Sequence, residues 1–172
     1  MFAKFIGVLA TLMYTLSGSV MTMNSMWAGP PGQLVKELCF HPNTKVQLKD
    51  GSIVAMKDVP LNAILKNGAK VCSVMSISNV DEEGMYVERI FEMANGEEGE
   101  TILVSGSHLV LDPKTQTFVK VKDIKGDGAP IATELECDTL ACLITSNHTI
   151  PIGTWTFHDW EDDNGKSIAT LV

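Results

Sequence analysis

The sequence predicts an all-β domain behind an apolar leader. Two observations carry that reading. From Cys39 onward the chain is a succession of short β-branched runs punctuated by turn residues at even spacing. Before it, no charged residue stands between Lys4 and Lys36.

Residues 5–23, FIGVLATLMYTLSGSVMTM, are long enough to cross a bilayer as a helix of roughly 20 residues. The same stretch also reads as a signal peptide, with Lys4, an apolar core at 5–14 and the small residues Ser17, Gly18 and Ser19. A buried core helix is the third reading. Lys4 on one side and Lys36, Lys45 and Lys49 on the other leave the orientation open. WAGPPG at 27–32 ends any helix, because paired prolines and glycines cannot continue one. Residues 1–26 are therefore expected to be a membrane anchor or signal segment and residues 27–38 a linker and flank, which makes the protein membrane-anchored or secreted.

The expected strands are TKVQL, SIVAM, KVCSVMSI, MYVERIFEM, ETILVSG, HLVLD and TFVKVKDI, separated by KDG, KNG, DEEG, NGEEG and DPKT. Regular turn signals of this kind favour an all-β barrel or sandwich-like fold. The acidic runs NGEEGE and EDDNG read as solvated loops. At 172 residues the chain holds one domain with a real core plus an appendage.

A net charge of −8 argues against a nucleic-acid partner, since a phosphate backbone is met by clustered Lys and Arg. None of the four cysteines, Cys39, Cys72, Cys137 and Cys142, sits in a Cys-x-x-Cys pair or at zinc spacing, so no metal and no cofactor is expected. Cys72 and Cys142 lie inside apolar runs, which favours buried, reduced thiols. Cys137 stays open, and two disulfides are the alternative for a secreted chain.

Residues 39–59 resemble the opening of the Hint superfamily, the self-processing domains of hedgehog proteins and inteins. The match is Cys39-Phe40, then Thr44, the Asp50-Gly51 turn and VAMKDV before LNAIL. A second block, ILVSGSHLVLD, looks like the family's Thr-x-x-His segment, with Ser105 at the threonine position and His108 in place. A third, SNHTIPIGTWTFHDWED, resembles the end of an intein, with Gly153 before a short strand and then His158 and Asp159. It looks closest to the Vint subgroup or to bacterial- or viral-intein-like domains. The resemblance spans residues 39–163, leaves 164–172 as a tail, and implies the Hint-type horseshoe of short antiparallel strands, here behind an N-terminal hydrophobic helix.

The resemblance implies that the Cys39 thiol attacks the carbonyl of Leu38, turning that peptide bond into a thioester. Such a shift needs a thiolate, and a free thiol with a pKa of about 8.5 is little ionised at neutral pH, so its surroundings must help. It also needs a proton for the departing amine. His108 is the expected donor, because imidazole exchanges protons near neutral pH. Ser105 shares the site if the chain bends at Gly106, and its hydroxyl can bond the scissile amide or the oxyanion. Asp81 lies about where hedgehog-type domains carry a base. His158 is placed to assist a carboxyl-side step, although a structural hydrogen bond suits it as well.

Full splicing needs a terminal asparagine followed by Cys, Ser or Thr, whereas here Asp159 precedes Trp160. Splicing is therefore disfavoured. The expected substrate is the domain's own N-terminal flank, and the expected second reactant is water or an external thiol or amine. The competing functions are a catalytically inactive, membrane-tethered interaction module on the same fold, and a secreted disulfide-bonded β domain in which Leu38–Cys39 is ordinary.

Overall fold

A computed structural model describes residues 39–159. The anchor or signal segment, the linker, Leu38 and the acidic tail all lie outside the described residues. Among the described residues no helix is long and apolar enough to cross a membrane.

Eleven short strands are present among these residues: β1 (Lys45–Gln47), β2 (Ile53–Ala55), β3 (Val71–Ser78), β4 (Ile90–Met93), β5 (Ile102–Ser105), β6 (Leu109–Asp112), β7 (Thr117–Lys120), β8 (Ile131–Ala132), β9 (Thr139–Thr145), β10 (Thr149–Ile152) and β11 (Trp155–His158). The only helical pieces among them are single 3-10 turns at Met56–Asp58, Glu97–Gly99 and Val121–Asp123. The all-β expectation holds. In place of one barrel or sandwich, the strands form four small antiparallel sheets, ordered β1-β2, β10-β11-β6-β7, β3-β9 and β5-β4-β8. Turn residues explain why the strands are short. Asp50 Oδ1, for instance, accepts from the Ser52 amide and hydroxyl, and Gly51 takes φ 89°, which together close the β1–β2 hairpin.

MYVERIFEM becomes a strand only from Ile90. Ahead of it the buried Asn79 side chain accepts from the Glu88 amide and donates to the Glu88 and Cys137 carbonyls, which substitutes for strand pairing there.

Two clusters make the core. The larger gathers Phe40, Val46, Met56, Leu65, Ile150 and Phe157 among others; the smaller holds Cys39, Ile90, Cys137, Leu140 and Cys142. Phe40 bridges Val104 of β5 and Ala141 of β9, and so stitches the β5-β4-β8 sheet to β3-β9. Cys72 is free but exposed, because it falls on the outward face of β3. Cys137 is free and buried, and its thiol donates to the Thr139 carbonyl at 2.9 Å.

Part of the acidic turn departs from the solvated-loop expectation. Glu97 is only 6 % exposed and binds Lys66 Nζ at 2.6 Å. The two side chains clamp Gly153 as well: Lys66 donates to its carbonyl and Glu97 accepts its amide, both at 2.9 Å. Gly153 has φ 54°, and a Cβ there would lie 1.8 Å from the Asn95 carbonyl oxygen, so only glycine fits the turn between β10 and β11. Removing one partner of a buried ion pair strands the other. Because Lys66 keeps some solvent contact, Glu97→Ala is expected to lower stability by about 2–4 kcal/mol in urea unfolding. An unchanged midpoint would remove the clamp from the account of this turn.

Candidate functional site

Cys39 and Phe40 run as an extended segment between β5 and β9. On the β9 side, Phe40 exchanges both backbone hydrogen bonds with Ala141, at 2.9 and 2.8 Å. On the β5 side, the Ser105 amide donates to the Cys39 carbonyl and the His41 amide to the Leu103 carbonyl, both at 3.0 Å. Successive side chains leave an extended segment on opposite faces. Phe40 therefore enters the large cluster, while Cys39 enters the small one and is fully buried.

The pairing has a direct chemical consequence. Since Phe40 and Ala141 form a hydrogen-bonded pair, Cys39 and Cys142 fall on the next, non-hydrogen-bonded pair, where strands approach most closely. Their Cα atoms are 4.8 Å apart and their sulfurs are joined in a disulfide. The expectation of a reduced, buried Cys142 and of a free Cys39 thiol is corrected accordingly. Register, which periodicity cannot supply, brings the two together.

Ser105 ends β5, and the turn to β6 is closed by the His108 amide donating to the Ser105 carbonyl at 3.1 Å. Gly106 sits in that turn against the Phe91 ring, where a Cβ would meet Cε2 at 2.6 Å. The turn brings both side chains to Cys39. Ser105 Oγ accepts from the Cys39 amide, the nitrogen of the Leu38–Cys39 bond, at 3.3 Å. His108 Nδ1 lies 3.2 Å from the Cys39 carbonyl oxygen, and Nε2 lies 2.9 Å from that of His158. The imidazole thus meets the carbonyl of Cys39, whereas the hydroxyl meets its nitrogen. Ring packing fixes that arrangement: the His108 ring is 4.4 Å from Phe40 and edge-on to Phe157 at 5.3 Å.

Both ring nitrogens of His108 face carbonyl oxygens, which accept and cannot donate. The geometry suits the doubly protonated ring, but complete burial opposes the charge and dominates, lowering the pKa to about 4; the His158 and Cys39 carbonyls pull it back only in part. The ring is neutral at neutral pH and satisfies one carbonyl at a time.

Asp159 is fully buried at the end of β11. Its Oδ2 accepts from the Thr145 amide at 2.7 Å and the Thr145 hydroxyl at 3.3 Å, Oδ1 lies 3.5 Å from His148 Nδ1, and its amide donates to the His148 carbonyl. His158 Nδ1 lies 2.9 Å from the Asp159 carbonyl oxygen, and its ring stands edge-on to Phe118 at 5.3 Å. Asp159 thus anchors the closing strand whose His158 carbonyl meets His108, a part that residue type alone did not suggest. Asp81 lies in the exposed turn after β3, where Oδ1 accepts the Glu83 and Met85 amides, so its carboxylate shapes that turn. Among the described residues no group of three or more His, Cys, Asp or Glu side chains is placed to hold a metal ion.

For His108 the unfolded value of 6.5 lies above the folded value of about 4, so between them the unfolded chain binds the extra proton. Stability is therefore complete above pH 6.5 and falls as the pH drops towards 4, by on the order of 3 kcal/mol. In His108→Gln that pH-dependent loss should shrink by about this amount, as read from urea midpoints at pH 4.5 and 7; an equal loss in both proteins would contradict the burial argument.

No family model matches the sequence, and no curated protein sequence matches it. Solved structures do resemble it. A DnaB intein from Synechocystis sp. PCC 6803 superposes with a TM-score of 0.50 at 14 % identity, covering 70 % of this chain and 97 % of that one. A gp41-1 intein gives 0.49 at 15 % identity, covering 70 % and 98 %, and the MchDnaB-1 intein gives 0.49 at 11 %, covering 70 % and 99 %. Eleven short antiparallel strands folded around a wedged Cys39-Phe40 segment, together with the similarity to the Synechocystis intein structure, give the described part of the chain the Hint fold seen in that intein.

Proposed function

We propose that the domain cuts its own chain at Leu38–Cys39. The Cys39 thiolate attacks the Leu38 carbonyl carbon, the new C–S bond replaces the C–N bond, and the Cys39 nitrogen leaves as an amine after taking up a proton. Water, or an external thiol or amine, then resolves the thioester and releases the N-terminal flank. The observation that carries this reading is the grip on Cys39: its amide at Ser105 Oγ, and its carbonyl at both the Ser105 amide and His108 Nδ1. Holding Cys39 at both its amide and its carbonyl fixes the nitrogen side of the scissile bond, which is the positional part of such catalysis.

In this reading Ser105 stands at the departing nitrogen and relays to it the proton given up by the Cys39 thiol, taking one as it passes one on, because a hydroxyl both donates and accepts. His108, neutral at rest, holds the Cys39 carbonyl and becomes easier to protonate as negative charge builds on the former Leu38 carbonyl oxygen. Splicing is not part of the proposal, since the Asp159 carboxylate is committed to Thr145 and His148 and has no amide to cyclise. The leader at 5–23 and the disulfide together fit delivery across a membrane into oxidising surroundings.

One observation favours a second reading. Cys39 Sγ is spent in the disulfide and buried in the cluster on the face opposite Phe40 and His108, as suits an inert interaction module on the same fold. The two readings separate on the reduced chain. With a C-terminal tag and complete reduction, the self-cleaving domain should yield a fragment beginning at Cys39, identified by mass. Cys39→Ala should stay whole, Ser105→Ala should slow cleavage about 10²-fold and His108→Gln about 10²–10⁴-fold. A reduced wild type that remains intact, with Cys39 shown free by alkylation, establishes the inert module.

A further inference from the structure

We propose that the Cys39–Cys142 disulfide is a redox-modification site, and that a dithiol reductant acting there switches processing on. The inference rests on the self-cleavage reading and adds the condition under which it runs. The reaction needs a thiolate at Cys39, and a sulfur shared with Cys142 is neither nucleophilic nor able to turn towards Leu38. The bond is also built into the fold, since the Phe40–Ala141 hydrogen-bonded pair sets Cys39 and Cys142 opposite each other on neighbouring strands. Cys142 thereby acquires a function distinct from those of Ser105 and His108: it holds the nucleophile inactive.

The exchange balances as follows. A reductant thiolate attacks Cys142 Sγ, forming a mixed disulfide and releasing Cys39 as the thiolate. The reductant's second thiol resolves the mixed disulfide, leaving Cys142 reduced and the reductant as its own disulfide. Two electrons pass from reductant to protein. Cys39 is released in the ionisation state that attack on Leu38 requires. Because both cysteines are fully buried, the exchange waits on local opening of the 39–40 segment, and a dithiol that completes its second step within one encounter is the suited partner class.

The test uses a phosphine, which reduces the disulfide by taking oxygen from water and is not itself a thiol that would cleave a thioester. The full chain, tagged and folded under oxidising conditions, is incubated with hydroxylamine to capture any thioester, with and without the phosphine, and cysteines are counted by alkylation in denaturant. Wild type should show two free cysteines and no cleavage without phosphine, then four free cysteines in the uncut reduced chain and at least a 10-fold faster release of fragment 39–172 with it. Cys142→Ala should cleave without phosphine. Equal cleavage of wild type with and without phosphine overturns the switch and leaves self-cleavage standing. If neither wild type nor Cys142→Ala cleaves after reduction is verified, self-cleavage itself fails. Should Cys142→Ala not fold, the phosphine dependence of wild type decides alone.

Discussion

The pairing of Phe40 with Ala141 on one side and Val104 on the other is the constraint on which the rest of the domain depends. It places one extended segment between two small sheets that are not otherwise one surface, and it lets Phe40 enter the large core while Cys39 enters the small one. From this follow the disulfide partner, the carbonyl presented to His108 and the amide presented to Ser105. The disulfide reinforces the arrangement, because it spans 103 residues of sequence; in the chain-entropy account, closing so long a loop contributes on the order of 4 kcal/mol.

His108 shows how burial and hydrogen bonding can oppose each other at one ring. Two carbonyls favour a second proton and complete burial refuses it, and burial wins, holding the pKa down at about 4. A ring in that balance responds to new charge nearby: an anionic centre close to Cys39 would add to the two carbonyls and tip it towards protonation. Ser105 meets Cys39 at both ends, with its amide on the carbonyl and its hydroxyl on the nitrogen.

The closing strand is tied in by a second polar cluster. Asp159, Thr145 and His148 join the end of β11 to the β9–β10 turn, and through the His158 carbonyl this anchoring reaches the far nitrogen of His108. The Lys66–Glu97 clamp on Gly153 fixes the other end of the same hairpin. Both ends of the hairpin are thus held by polar side-chain contacts, which lend directionality that apolar packing lacks.

The sequence by itself determined the class and much of the order of this domain. Seven β-branched runs between turn residues announced seven of the strands, and the two blocks around Cys39 and His108 named residues that the fold brings together. β9 escaped because TLACLIT is buried along almost its whole length and shows no alternation, so its period carries no signal. Glu97 looked solvated because its ion-pair partner lies 31 residues away in the chain. Only the tertiary structure decided that Cys142 meets Cys39, that Ser105 rather than His108 faces the amide nitrogen, and that Asp81 is spent on its own turn. Strand register and the face of each side chain are set by pairing between distant segments, and a one-residue slip would exchange the faces of Cys39 and Phe40 without altering the composition of either strand.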